Sequence, residues 1–166
     1  EDHLLHRNLG RVRVAAGQLE DAISSFRRAH SLAPKDPAPL NHLARTLNLL
    51  GNIREARETL DRAITPDPNN ANLHNNLGLL LKTSRQFAAA QACFEKAADL
   101  DPHNTLALNN LGELLCEQGK PEEAVTWHQK AIAINARSAA SHNFLARALA
   151  MQGKLGPAID SWRRAV

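Results

Sequence analysis

A pattern of 34 residues, repeated five times in register, is the feature that most restricts how this chain can fold. Leu9, Leu43, Leu77, Leu111 and Leu145 form one column, and each is followed by a small residue, Gly10, Ala44, Gly78, Gly112 or Ala146. Ala22, Ala56, Ala90, Ala124 and Ala158 form a second column, and Ala29, Ala63, Ala97, Ala131 and Ala165 a third. Gly17, Gly51, Gly119 and Gly153 make a fourth, interrupted by Arg85, while Pro34, Pro68 and Pro102 make a fifth, interrupted by Ala136. A period of this size describes one supersecondary unit that cannot bury its apolar face alone and stacks on its neighbours.

Within each unit the spacing predicts two helices of roughly 12–14 residues. In the third unit Leu73, Leu77, Leu80 and Leu81 mark the apolar face of the first, and Ala90, Phe94, Ala97 and Ala98 that of the second. The Gly column suits a left-handed C-cap after the first helix. The Leu-Gly or Leu-Ala pairs and the Ala columns are small because two helices cross closely there. Asp67-Pro68 and Asp101-Pro102 end the second helix, since proline cannot continue it. No strand pattern appears.

A 34-residue helix–turn–helix with Leu-Gly, then Ala, Phe, Ala and Pro at fixed offsets resembles the tetratricopeptide repeat. The resemblance covers nearly the whole chain, as repeats 3–36, 37–70, 71–104, 105–138 and a truncated 139–166 in one array spanning 1–166. It implies an all-α fold, a right-handed α-solenoid of stacked helix–turn–helix units. A pentatricopeptide RNA reader would need a period of 35, against the 34 found here. The sequence departs from the family where its bulky first-helix aromatic becomes His6, Leu40, His74, Leu108 or His142. The second-helix aromatic, kept as Phe26, Phe94 and Trp162, becomes Leu60 and His128 elsewhere. Arg13 stands where the other copies have Leu47, Leu81, Leu115 and Leu149, and is expected to mark a frayed first repeat or a surface shaped by an upstream one. Val166 falls inside a second helix, so an exposed apolar edge is expected there. It would either continue into further repeats or dock on another copy.

The resemblance further implies a concave face lined by the first helix of each repeat, at five offsets. These hold Leu4, Arg7, Arg11, Val14 and Ala15; then Ala38, Asn41, Arg45, Asn48 and Leu49; then Asn72, Asn75, Leu79, Lys82 and Thr83. The last two repeats contribute Leu106, Asn109, Glu113, Cys116 and Glu117, and Ala140, Asn143, Arg147, Ala150 and Met151. Asn41, Asn75, Asn109 and Asn143 share one column, and Asn8, Asn76 and Asn110 the adjacent one. An Asn side chain both donates and accepts, so a row of them can hold an extended backbone without reading its side chains. The alternative is that these residues cap helices or solvate a polar face. The row is similar to the asparagine ladder of O-linked N-acetylglucosamine transferase and kinesin light chain, interrupted here by His42 and Phe144. No register reproduces the Lys, Asn and Arg of the family's carboxylate clamp, so capture of a chaperone C-terminus is not expected.

Charge on this face is uneven. Arg7, Arg11 and Arg45 make the first end basic, and Glu113 and Glu117 make the fourth repeat acidic. The five repeats carry +3, 0, 0, −1 and +3, and Glu1-Asp2 adds −2. A ligand that is acidic toward the N-terminal repeats follows as an expectation, affecting on-rate and orientation more than affinity. The net charge of +3 is too small and too dispersed to make nucleic acid the partner. Aromatics at 4% argue against a base-stacking platform. No run of about 18 apolar residues is present to span a membrane.

The search for chemistry yields little. Glu122-Glu123 follow Pro121 in a helix's first turn, where the dipole accounts for them. His3 and His6 are spaced to touch one metal but have no third ligand nearby. His74 and His142 recur at a packing offset. Cys93 and Cys116 form neither a clip nor a scaffold and fit a reducing compartment, hence a cytoplasmic location. Trp127 and Trp162 read as packing residues. The expectation is a non-catalytic interaction module without cofactor or metal, binding an extended peptide or partner protein in the groove and able to self-associate through uncapped ends. Its candidate residues are Arg7, Asn8, Arg11, Asn41, Arg45, Asn48, Asn72, Asn75, Asn76, Lys82, Asn109, Asn110, Glu113, Asn143 and Arg147. The alternatives are a substrate-recruiting arm of a larger glycosyltransferase or sulfotransferase, or a self-assembling scaffold.

Overall fold

A computed structural model describes residues 2–165, so the charge assigned to Glu1 and the break at Val166 lie outside the described residues. Among these residues there are ten α-helices and no strand. They are α1 (Asp2–Ala15), α2 (Leu19–Leu32), α3 (Ala38–Leu49), α4 (Ile53–Ile64), α5 (Ala71–Thr83), α6 (Phe87–Leu100), α7 (Thr105–Glu117), α8 (Pro121–Ile134), α9 (Ala139–Met151) and α10 (Leu155–Arg164). The second helices begin at Leu19, Ile53, Phe87, Pro121 and Leu155, each one sequence period after the last. The fold is all-α, of the helix–turn–helix solenoid class.

The local chemistry that ends and starts helices repeats as faithfully as the columns. Gly17, Gly51, Gly119 and Gly153 take φ of +75 to +78°, the left-handed conformation that costs glycine nothing. After each of them a backbone N–H returns to the carbonyl of the preceding helix, as from Gln18 to Arg13 at 2.9 Å and from Lys154 to Leu149 at 3.0 Å. Arg85 holds the same turn at φ +58° without being a glycine, and Gln86 N–H still bonds the Leu81 carbonyl at 2.9 Å. At the other end, Asp36, Asn70, Asn104 and Ser138 accept from backbone N–H groups in the first turn of α3, α5, α7 and α9. Each satisfies one of the donors a helix start leaves free.

The chain divides into two compact units, Glu1–Leu80 and Leu81–Val166, with the border inside α5. In the first unit α1 packs on α2, α2 on α3 and α3 on α4. Its core gathers Ala22, Ile23, Phe26, Leu43, Leu47 and Leu60. A Cβ on Gly10 would lie 2.5 Å from the Phe26 ring, which is why the Leu-Gly column must be small. In the second unit α6 packs on α7, α7 on α8, α8 on α9 and α9 on α10. Gly112 plays the part of Gly10, with a Cβ position 2.5 Å from the His128 ring. Two ring stacks repeat between corresponding columns, Phe26 on His42 and His128 on Phe144, with centroids 5.3 and 5.6 Å apart.

Two expectations need correction. Arg13 is not frayed: its guanidinium donates to Ser25 Oγ at 2.6 Å and to the Asp21 carbonyl at 3.2 Å, so it ties α1 to α2 in place of the missing leucine. Trp162 is not a core residue. It is 40% exposed, whereas Phe26, Leu60, Phe94 and His128 in the same column are at most 1% exposed.

Candidate functional site

The candidate residues lie on the odd-numbered helices. In the first unit these are α1, α3 and the part of α5 up to Leu80. Arg7 is half-buried and pairs with Asp36 at 3.4 Å. Arg11 and Arg45 are exposed and make no ion pair among the described residues. His42 lies among all three. Burial pushes its imidazole below the ordinary value, and Arg45, Arg11 and Arg7 push it further, against the weaker pull of Asp36. The three guanidiniums therefore act on one spot, balanced by one carboxylate.

The amides of this unit are less uniform than their column. Asn8 and Asn72 are exposed, Asn41 and Asn48 half-buried, and Asn75 and Asn76 buried. Asn76 Nδ2 donates to Asn41 Oδ1, joining α5 to α3. The Asn48 Oδ1 is buried without a partner, an acceptor left open on α3. Leu49 is 66% exposed beside it, an apolar member of the same face.

The second unit uses the same columns differently. Lys82 Nζ lies 2.8 Å from Glu113 and 2.9 Å from Glu117, and Arg147 lies 3.3 Å from Glu113. Burial works against the Lys82 charge, but its hydrogen bonds to Glu113 and Glu117 overcome that and hold its pKa above the ordinary value. Burial likewise disfavours the Glu113 carboxylate, and Lys82 and Arg147 reverse the effect. Two cations and two carboxylates thus neutralise one another across α5, α7 and α9. Lys82 and Arg147, expected to meet acidic ligand side chains, already meet acids of their own chain.

Asn109 is 5% exposed and fully engaged: its Nδ2 donates to Ser141 Oγ at 2.8 Å, and its Oδ1 accepts from His128 Nδ1–H at 3.0 Å. That bond fixes the tautomer of His128. Burial, followed by the opposing fields of Glu113 and Arg147, leaves the imidazole with a pKa of about 4. Asn110 is half-buried. Asn143 is exposed and accepts from Trp162 Nε1 at 3.1 Å. Leu106 and Met151 are 65% and 53% exposed on the same helices.

His74 and His142 are structural, as their spacing implied. Each ring Nε2 meets a loop carbonyl six residues earlier, Pro68 at 2.8 Å and Ala136 at 3.0 Å. Cys116 is buried, and that burial pushes its thiol upward, the opposite of activation. No group of three metal-ligating side chains occurs among the described residues. No described helix is long and apolar enough to cross a membrane. A cavity of about 320 Å³ in the first unit, lined by Arg27, His30, Leu40, Glu55 and Arg62, belongs to the even-helix side and includes none of the candidate residues. What sequence reasoning missed is Asp36 as the partner of Arg7, and the pairing of Lys82 and Arg147. Neighbouring repeats place equal columns side by side, and Glu113 stands one period before Arg147, which is the signal that could have found it.

The fold and these columns match known proteins. Two models, each described as tetratricopeptide repeat, match residues 13–80 and 75–139. Among solved structures, a thermophilic tetratricopeptide protein of Thermus thermophilus, TTC0263, is 22% identical with a TM-score of 0.87, covering 98% of this chain and 89% of its own. PilF of Pseudomonas aeruginosa is 22% identical with a TM-score of 0.86, covering 100% and 77%. MamA of Desulfovibrio magneticus RS-1 is 20% identical with a TM-score of 0.74, covering 99% and 93%. At these identities the likeness shows the fold alone. No curated protein sequence matches. With its columns, capped hairpins and two matched stretches, the chain belongs to the tetratricopeptide repeat family and is a protein–protein interaction module.

Proposed function

We propose that the odd-helix face of the first unit binds an extended, acidic segment of a partner protein. The observation that carries this reading is the cluster of Arg7, Arg11 and Arg45 around His42, where three cations meet one carboxylate and two of the cations have none. A ligand carboxylate entering there replaces water around exposed guanidiniums, which favours fast, oriented encounter. The amides supply the backbone contacts. Asn8, Asn72 and the NH2 of Asn41 face the ligand, with the half-buried Asn48 beside them on α3. Asn75 and Asn76 hold the floor, and Leu49 takes an apolar side chain. The odd-helix face of the second unit differs in itself: Lys82, Glu113, Glu117 and Arg147 form a neutral set there, and Asn109 is buried with His128 and Ser141. The chain works as a non-catalytic adaptor in this reading.

Amide chemical shifts of the labelled protein, followed during titration with an Asp/Glu-rich peptide of about ten residues, test the assignment. The expected result is perturbation concentrated on α1 and α3, with the Asn8 and Asn48 side-chain amides moving, and loss of that response in Arg11→Glu with Arg45→Glu. Equal perturbation by a Lys-rich peptide, or a response confined to the even helices, overturns it.

A further inference from the structure

The two units fill one crevice differently. In the second unit Trp127 of α8 is half-buried and packs against the cluster of Ala98, Leu108 and Ala131. Lys130, one turn on, lies over its ring with Nζ 3.9 Å from the centroid. Two periods earlier the same columns hold His30, Leu40, Ala63 and Arg62, and Thr59 takes the place of Trp127. Trp127 is the one bulky member of its column, which otherwise reads Ser25, Thr59, Cys93 and Ser161.

Where the second unit has an indole, the first has a cavity. Its volume is about 320 Å³, and it lies between α2, α3 and α4. His30, Leu40, Thr59 and Arg62 line it, so four of the positions that build the Trp127 contact border this cavity, and Leu43 extends its apolar wall. An Arg62 N–H donates to His30 Nε2 at 3.4 Å, and burial followed by the field of Arg62 holds that imidazole below its ordinary pKa, so the ring is neutral near pH 7. Net charge does not select the occupant. Arg27 and Arg62 at the border are matched by Glu55 and Glu58, and Arg27 already meets Glu55 at 2.6 Å. What the cavity offers is an apolar wall, one cation and room for one large side chain.

We propose that this cavity receives an aromatic side chain of a partner protein, above all tryptophan, packed against Leu40 and Leu43 with the Arg62 guanidinium over its face. The chain itself supplies the argument for that occupant, since Trp127 is an aromatic held in the same columns under Lys130. An aromatic of this size buries about 150–250 Å², and a cation over its face adds to the attraction. The Glu55 and Glu58 carboxylates at the border can accept the indole N–H, which favours tryptophan over phenylalanine. A single seated side chain binds weakly by itself and serves as the anchor of a larger interface. The site lies on the even-helix side, so it goes beyond the acidic-segment reading and uses none of its residues.

Amide chemical shifts of the labelled chain, titrated separately with N-acetyl-tryptophanamide, N-acetyl-leucinamide and sulfate, test it. The tryptophan compound is expected to move the signals of His30, Leu40, Thr59 and Arg62 at concentrations up to about 20 mM, and the other two to leave them in place. Thr59→Trp, which writes the second unit's residue into the first, is expected to keep its far-ultraviolet circular dichroism and to abolish that response. Arg62→Ala is expected to raise the half-saturating concentration at least about threefold. No movement of these signals, equal movement with the leucine compound or with sulfate, or an unchanged midpoint in Arg62→Ala overturns the inference, as does a response that survives in a folded Thr59→Trp chain. Arg62→Ala decides alone where Thr59→Trp loses its circular dichroism. Acidic-peptide binding read in parallel separates failure here from failure of the adaptor reading, since neither variant alters an Arg or Asn of the odd helices.

Discussion

The two units carry the same columns on their odd helices and put them to opposite electrostatic use. In Glu1–Leu80 the cations outnumber their acids, and Arg11 and Arg45 stay exposed and unpaired. In Leu81–Val166 Lys82 and Arg147 share Glu113, and Glu117 completes a neutral set of four. The amides divide similarly. Asn41 shares a half-buried bond with Asn76, while its column-mate Asn109 is locked into a buried Asn–His–Ser set. The difference teaches that a column specifies where a side chain points from, and the neighbouring repeats decide whether it is free to meet a ligand.

The contrast can be broken first at the amides. Asn109→Ala should leave the buried His128 Nδ1–H and Ser141 Oγ short of a partner and lower unfolding free energy by about 2–4 kcal/mol, whereas Asn41→Ala should cost about 0.5–1.5 kcal/mol, both read from urea melts. Equal costs would show that the two amides are equivalent after all.

Acid should act on the second unit through His128. Its pKa of about 4 in the fold lies below the ordinary 6.5, so the unfolded chain binds the extra proton first. The stability this neutral ring contributes is complete above about pH 6.5, and about 3 kcal/mol of it is lost as pH falls toward 4. His128→Phe, the residue type that Phe26 and Phe94 place in this column, should flatten that slope in melts taken between the two pH values. A slope that survives the substitution would assign it to other groups.

Lys82→Ala should cost about 1 kcal/mol, because it strips a partly buried Glu113 of its nearest cation. Arg7→Ala should cost less than about 0.5 kcal/mol, since its pair with Asp36 is longer and more exposed. Thermal denaturation of the two variants ranks them, and the reverse order would contradict the division between units.

Most of the fold was legible because repetition turns weak local signals into columns. One Leu-Gly pair says little, but Gly10 and Gly112, each facing a ring, say that the helices cross closely at that column. The glycine caps were readable for the same reason. Arg85 was not, because its φ of +58° comes from the turn in which it sits and not from its own preference. The site was legible as a face and illegible as a charge distribution. Whether Lys82 is available depends on Glu113, 31 residues away, and on how far two flexible side chains reach. Trp162 was misread because a column by itself does not bury an aromatic: it is 40% exposed where Phe26 and Phe94 are at most 1%.

The most direct test compares two double variants in one titration with an acidic peptide. Arg11→Ala with Arg45→Ala removes the free cations of the first unit, and Lys82→Ala with Arg147→Ala removes the paired cations of the second. The account predicts that the first weakens binding by about tenfold or more at low salt, and the second by no more than about twofold. Equal losses, or a greater loss from the second variant, would contradict it.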